Sequence, residues 1–264
     1  MIRVRGLNVT FARGTPMQTP ALRGLDLDIP AGQFVTVIGS NGAGKSTLLN
    51  AITGDVALDS GSVAIDETEV TRWPAPRRAA LVARVFQDPM VGSCESLTIE
   101  ENMALAAARG SRRGLRRALD RASRERFRET LAGLGIGLES RLTDRMGLLS
   151  GGQRQAVSLL MATLAATRIL LLDEHTAALD PKTAEFVLKL TNEIVAAQRL
   201  TTLMVTHSMR QALDCGERTV MLHEGRIVLD IAGAERRGLD VPDLLDLFAR
   251  QRGQQLADDS LLLG

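Results

Sequence analysis

The run Phe34-Val35-Thr36-Val37-Ile38, followed at once by Gly39-Ser40-Asn41-Gly42-Ala43-Gly44-Lys45-Ser46, constrains this chain more than any other stretch. Five residues rich in β-branched types read as a strand, and G-x-x-x-x-G-K-[ST] reads as a phosphate-binding loop. Its glycines let consecutive backbone N–H groups converge on phosphate oxygens, and a helix starting near Ser46 would add its positive end. Lys45 would then reach the β- and γ-phosphates, with the Ser46 hydroxyl, followed by Thr47, beside a Mg²⁺ ion. The bland alternative is a Gly-rich turn with a stray lysine. The chain's own Gly, Lys and Ser+Thr frequencies would produce the motif by chance in about 3 of 1000 such chains. A loop of this kind belongs to an α/β nucleotide-binding fold.

The remaining composition fits. The 264 residues are 45% hydrophobic and 24% charged, enough to bury a sizeable core without disulfides. Arg and Lys (32) nearly balance Asp and Glu (31), which argues against a generic nucleic-acid binder. No apolar run approaches the ~18 residues of a membrane span. The start, Met1 to Arg5, is charged and lacks the apolar core of a secretion signal. Two cysteines, Cys94 and Cys215, make no disulfide framework and fit a reducing cytosol.

Along the chain, β-patterned runs come first: Ile2–Val4, Leu7–Phe11, Leu25–Ile29, Phe34–Ile38, Val63–Ile65 and Leu81–Phe86. From Thr98 to about Gly133 the chain reads as helix, opened by the capping box Thr98-Ile99-Glu100-Glu101. A second helix is expected over Gln153–Ala166, and a third from Pro181 to about Ala197 behind Asp180 as N-cap. Thr201–Thr206, Thr219–Leu222 and Arg226–Leu229 are further strands, and the tail reads as helical around Val241–Arg250. One α/β domain carrying a helical insertion is expected.

Ile169-Leu170-Leu171-Leu172 is an apolar strand that ends in Asp173-Glu174. Ligands of parallel α/β sheets sit at the carboxyl ends of the strands. With a phosphate loop upstream, Asp173 is expected in the Mg²⁺ shell and Glu174 where a general base orients the attacking water. Two acids that merely cap a strand are the bland alternative.

Leu149-Ser150-Gly151-Gly152-Gln153, lying between the phosphate loop and the acidic strand, resembles the signature of ATP-binding-cassette (ABC) ATPases. Ser150 could also simply cap the helix after it. Order supports the resemblance. Gln87 in Val85-Phe86-Gln87-Asp88-Pro89 matches the family's Q-loop, Ala178-Leu179-Asp180 its D-loop, and His207 in Val205-Thr206-His207-Ser208 its switch histidine. The similarity covers residues 2–230.

The resemblance implies a P-loop core of mostly parallel strands, an antiparallel β-subdomain and an inserted α-helical subdomain. It places the ATPase domain at 1–234, the helical insertion at about 88–152 and a C-terminal helical tail at 235–264. It implies ATP and Mg²⁺ as ligands and a homodimer that sandwiches two ATP molecules head to tail. The loop of one subunit and Ser150, Gly151, Gly152 and Gln153 of the other would grip one γ-phosphate. Gln87 would sense Mg²⁺ and the attacking water, Asp180 would lie at the dimer seam, and His207 would contact the γ-phosphate. Phe11 aligns with the aromatic that stacks on adenine, usually Tyr, and this chain has no Tyr.

Two departures stand out. His175 follows Glu174 where the family usually has Pro, and the helix after the signature lacks its usual second Arg. With Phe86-Gln87-Asp88-Pro89-Met90 and the run Arg112–Arg117, that helix resembles the ATPases of tryptophan/tyrosine-type amino-acid importers. Such a subunit works on the cytoplasmic face of the membrane with permease subunits and a periplasmic or lipoprotein solute-binding protein, and without nucleic acid. An exporter ATPase, or a soluble ABC protein acting on ribosomes or DNA, is the alternative. Residues 109–128 hold nine arginines, read as a solvated helical face or as a contact to lipid headgroups or acidic permease loops.

Overall fold

The computed structural model describes residues 1–111 and 118–250. Arg112, Arg113, Arg116 and Arg117, and residues 251–264 of the tail, therefore lie outside the described residues. The chain divides into two units, residues 1–72 with 203–264, and residues 73–202.

In the first unit, strands β1 (Ile2–Phe11), β2 (Thr19–Ile29), β4 (Ser60–Ile65) and β5 (Thr68–Glu69) form a sheet in the order β2-β1-β4-β5, with antiparallel pairing throughout. β1 is one strand where the sequence pattern suggests two. Ile2 and Val4 face inward, then Leu7 and Val9. The alternation changes phase across a register shift between Val4 and Leu7, where Gly6 adopts φ +54°. Such a bulge inserts one extra residue and turns the following side chains to the opposite parity. A second set of strands runs in the order β10 (Arg226–Ala232), β9 (Arg218–His223), β3 (Phe34–Gly39), β8 (Thr201–Val205). The β3–β9 pair is parallel and the β9–β10 hairpin antiparallel. β3 and β8 are buried along nearly their whole length, as expected of strands covered on both faces.

Behind this sheet Ile38, Met221, Val228, Leu229 and Ile231 pack with Ala212 and with Leu244, which is fully buried. Leu244 belongs to the segment 241–250, which is helical as expected. Helix α7 (Met209–Asp214) is capped by Ser208, whose hydroxyl accepts the Gln211 N–H. Its far end is held by Arg236, on the short helix α8 (Gly233–Arg236). The Arg236 Nη2 group donates to the carbonyls of Ala212, Leu213 and Cys215 at 2.7–3.0 Å, and its Nε donates to Thr219. Helix C-termini leave their last carbonyls unpaired, and a guanidinium satisfies several at once.

In the second unit, β6 (Val82–Val85) and β7 (Ile169–Asp173) pair in parallel, Val85 opposite Leu172. α2 (Ala75–Arg78) precedes them, and α3 (Ile99–Ala107), α4 (Arg121–Ala132), α5 (Gly151–Leu164) and α6 (Pro181–Gln198) complete the unit. The expected single helix from Thr98 to Gly133 is instead two, α3 and α4. α4 starts afresh at Asp120, which forms a capping box with Ser123, as Thr98 does with Glu101 on α3. Each such box is worth about 1 kcal/mol, enough to fix a helix start. α4 buries only Phe127 and Leu131, one turn apart, and leaves its arginine-rich sides exposed.

Candidate functional site

The phosphate loop is built as the sequence suggests, with α1 (Lys45–Thr53) starting directly behind it. Gly39 and Gly44 both hold positive φ, at +151° and +100°. A Cβ at Gly39 would lie 2.2 Å from the Leu222 carbonyl oxygen, and one at Gly44 2.5 Å from that of Ala21. Only glycine fits either place. The β9–β10 turn backs the loop, with the Gly225 N–H donating to the Ala43 carbonyl at 3.1 Å. Lys45 is buried and its ammonium donates to the carbonyls of Gly39 (2.8 Å) and Ser40 (3.0 Å), so its charge lies over the concave side of the loop. Ser40, Asn41 and Gly42 are exposed, as is Ser46 in the first turn of α1, with Thr47 half-buried. Phe11 ends β1 and is 44% exposed, an aromatic face open to a stacking partner. His207 is also exposed. The residue before it, Thr206, donates its N–H to the Val37 carbonyl at 3.0 Å, which sets His207 beside the end of β3.

The second unit carries the other candidates. β6 and β7 run side by side, so Gln87 and the pair Asp173-Glu174 leave the same edge. Gln87 is exposed, and the carbonyl of Phe86 before it accepts a hydrogen bond from Gln155 Nε2 of α5 at 3.1 Å. Glu174 takes φ +46°, the left-handed region, and its carbonyl accepts the Ala177 N–H at 2.9 Å. That conformation costs a non-glycine residue about 1–3 kcal/mol, and it turns the chain sharply as the strand ends.

Ser150 and Gln153 form a reciprocal capping box at the start of α5. The Gln153 N–H donates to Ser150 Oγ at 3.3 Å, and the Ser150 N–H to Gln153 Oε1 at 3.2 Å. The helix-cap alternative is thus a real part of what Ser150 does. Gly151 is exposed, while Gly152 is buried against α6, where a Cβ would lie 2.0 Å from Thr183 Cγ2. Asp180 caps α6 as expected, accepting the Thr183 N–H at 3.1 Å. Hydrogen bonds from Thr183 hold its carboxyl below the usual carboxylate range. His175 is completely buried, and burial lowers its pKa to about 4, so it is neutral at physiological pH.

Residues 22–177 match the family model described as ABC transporter. The chain belongs to that family. It is an ABC transporter ATP-binding subunit, and its relatives agree. A tyrosine transport ATP-binding protein from Clostridioides difficile is 43% identical over 94% of this chain and 98% of its own length. An aliphatic sulfonates import ATP-binding protein from Rhodopseudomonas palustris is 32% identical over 86% of this chain and 73% of its own. A bacterial ABC transporter cassette solved as a dimer superposes with a TM-score of 0.76, at 29% identity over 90% of this chain and all of its own. Another structure with a TM-score of 0.76, at 28% identity over the same shares, is a post-hydrolysis state bound to ADP and Pi.

Among the described residues of this ABC ATPase no helix is long and apolar enough to cross a membrane. The loop that a Cβ would fill and the buried Lys45 ammonium suit a polyphosphate, and the chain is an ATPase subunit. The hydroxyl of Ser46, the amide oxygen of Gln87 and the carboxylate of Asp173 are hard oxygen donors, the chemistry Mg²⁺ takes. Three arginines escaped the sequence reading. Arg84 on β6 pairs with Asp173, Nη2 to Oδ2 at 2.6 Å. Arg154 on α5 is buried and donates to Glu95 at 2.9 Å and to the Gly147 carbonyl at 3.2 Å, tying down the segment before the signature. Arg236 is the third. An arginine inside a β-patterned run, as at Arg84, was the one available signal.

Proposed function

We propose that this subunit hydrolyses ATP to drive import of an aromatic amino acid of the tyrosine type through separate permease subunits. The observation that carries the substrate class is the 43% identity, over nearly the full length of both chains, to a tyrosine transport ATP-binding protein. In this reading Lys45 and the loop N–H groups of residues 39–44 neutralise the β- and γ-phosphates, and Phe11 stacks on adenine. Ser46, Gln87 and Asp173 would hold Mg²⁺, whose charge would offset that of the phosphates. Glu174 takes the proton of the attacking water, and His207 contacts the γ-phosphate.

Ser150, Gly151, Gly152 and Gln153 act on the nucleotide of a second copy in a head-to-tail homodimer, with Asp180 at the seam. Residues 1–234 form the ATPase domain with its helical insertion at about 88–152, and 235–264 a tail. The assembly includes a periplasmic or lipoprotein solute-binding protein, and this subunit sits on the cytoplasmic face of the membrane. Uptake of labelled tyrosine, phenylalanine and tryptophan by cells carrying wild type or Lys45→Ala tests the reading. Loss of aromatic uptake in the variant is expected. Intact aromatic uptake, with loss of a different solute, would overturn the substrate class.

A further inference from the structure

This inference rests on the reading of Asp173 as a Mg²⁺ ligand and concerns the cation already beside it. Arg84 and Asp173 lie 2.6 Å apart with side chains only 12% and 14% exposed. Both belong to the second unit, on neighbouring parallel strands. Arg84 stands opposite Leu171, and Asp173 ends β7 one residue beyond the pairing of Val85 with Leu172. The guanidinium carbon also sits 4.8 Å from the centre of the Phe86 ring. A stacked, largely desolvated guanidinium has few other places to go. At this burial, water does not screen the pair as it screens surface ion pairs.

A carboxylate in this position has one oxygen engaged and its charge offset. A divalent cation approaching it meets a weaker attraction and the repulsion of a fixed positive charge. We propose that Arg84 is a positioning residue that holds Asp173 and competes with Mg²⁺ for it, and so sets the free Mg²⁺ concentration at which the nucleotide site loads. The guanidinium fixes the rotamer of Asp173 through Oδ2 and weakens its grip on the ion. Loading then follows the Mg²⁺ supply instead of saturating at trace levels.

The test uses the full-length protein and reads binding directly. Binding of labelled ATP by equilibrium dialysis is measured against free Mg²⁺, and Mn²⁺ uptake by the ATP-bound protein is followed by EPR. Arg84→Gln should lower the half-saturating Mg²⁺ concentration about tenfold, whereas Arg84→Lys, which keeps the charge, should stay near wild type. Arg84→Met carries the same expectation as Arg84→Gln and is used if the latter shows no cooperative thermal transition. A half-saturation unchanged or raised in the folded, uncharged variant overturns the proposal. Asp173→Asn separates the two readings. If it leaves the Mg²⁺ dependence untouched, the metal reading of Asp173 fails and takes this inference with it. If it shifts that dependence while Arg84→Gln does not, only this inference fails. On the Asp173→Asn background, Arg84→Gln should shift the Mg²⁺ dependence less than it does in wild type, and an undiminished shift would also overturn the role.

Discussion

His175 Nε2 lies 3.0 Å from Thr191 Oγ1 in the buried interior, and Thr191 already gives its own proton to the Val187 carbonyl at 2.8 Å. The imidazole must therefore donate, which assigns the Nε2–H tautomer and leaves the hydroxyl as acceptor. Where the resemblance leads one to expect proline, this chain has a neutral, buried, hydrogen-bonded ring immediately after Glu174.

The first prediction follows from its depressed pKa. The ring is neutral in the fold down to about pH 4, but in the unfolded chain it binds a proton below about 6.5. Unfolding therefore takes up a proton in that window, and stability is full above about pH 6.5 and falls as the pH drops towards 4. Between pH 7.5 and 5 the loss from this group is about 2 kcal/mol. Urea denaturation of wild type and His175→Gln at both pH values measures it. The variant should show a smaller pH dependence, and an equal slope in both proteins would remove His175 as the cause.

The second prediction separates binding from hydrolysis. Lys45→Ala should abolish nucleotide affinity, because it removes the buried ammonium held at the phosphate loop. Glu174→Gln should keep ATP binding but slow hydrolysis by about 10²–10⁴, with a long-lived ATP-bound dimer visible by size-exclusion chromatography. Ser150→Ala should bind ATP as a monomer and fail to hydrolyse it. Mixing Lys45→Ala with Ser150→Ala subunits should restore part of the activity, since one composite site in the heterodimer is intact. Equal loss of ATP binding in both single variants would refute the head-to-tail arrangement.

A third prediction concerns Gly152 and Thr183. A methyl group at Gly152 would overlap Thr183 Cγ2, so Gly152→Ala should destabilise the protein by about 1–3 kcal/mol and lower its melting temperature by several degrees. Thr183→Ser deletes the clashing methyl, so the double variant should recover most of the loss. A thermal-melt double-mutant cycle reads the coupling, and strictly additive effects would show that the two helix starts do not press on each other.

The fourth prediction addresses Phe11. If its ring stacks on adenine, Phe11→Ala should raise KM for ATP by about tenfold with little change in kcat, and Phe11→Trp should retain affinity, since stacking on an aromatic is worth ~1–3 kcal/mol per base. Comparing ATP with a triphosphate lacking a base checks the cause. The variant and wild type should use the base-free compound equally.

Local motifs carried most of the fold and the candidate site in the sequence. Gly39 and Gly44 are legible because glycine alone fits those backbone angles and close approaches, and Thr98, Ser150 and Asp180 because a helix start needs a side-chain acceptor at a fixed spacing. Phase changes and remote partners were harder to read. The slip at Gly6 split β1 into two apparent strands, since alternation is counted in twos and a bulge adds one. The break between α3 and α4 hid because Arg and Ala favour helix on both sides of it, and its marks were Gly110, which takes φ +73°, and the second capping box at Asp120. Arg84, Arg154 and Arg236 act on groups 89, 59 and up to 24 residues away. Nothing in their own neighbourhoods announces those partners.

Arg236 lies 59 residues beyond the end of the stretch matched by the family model, yet it closes the helix that follows His207. A boundary drawn by motif content would discard it. A chain ended after β10 would keep every candidate nucleotide residue but lose the guanidinium that gathers the carbonyls at the end of α7. The smallest fragment that carries the motifs and the smallest that holds them still are therefore different lengths of polypeptide.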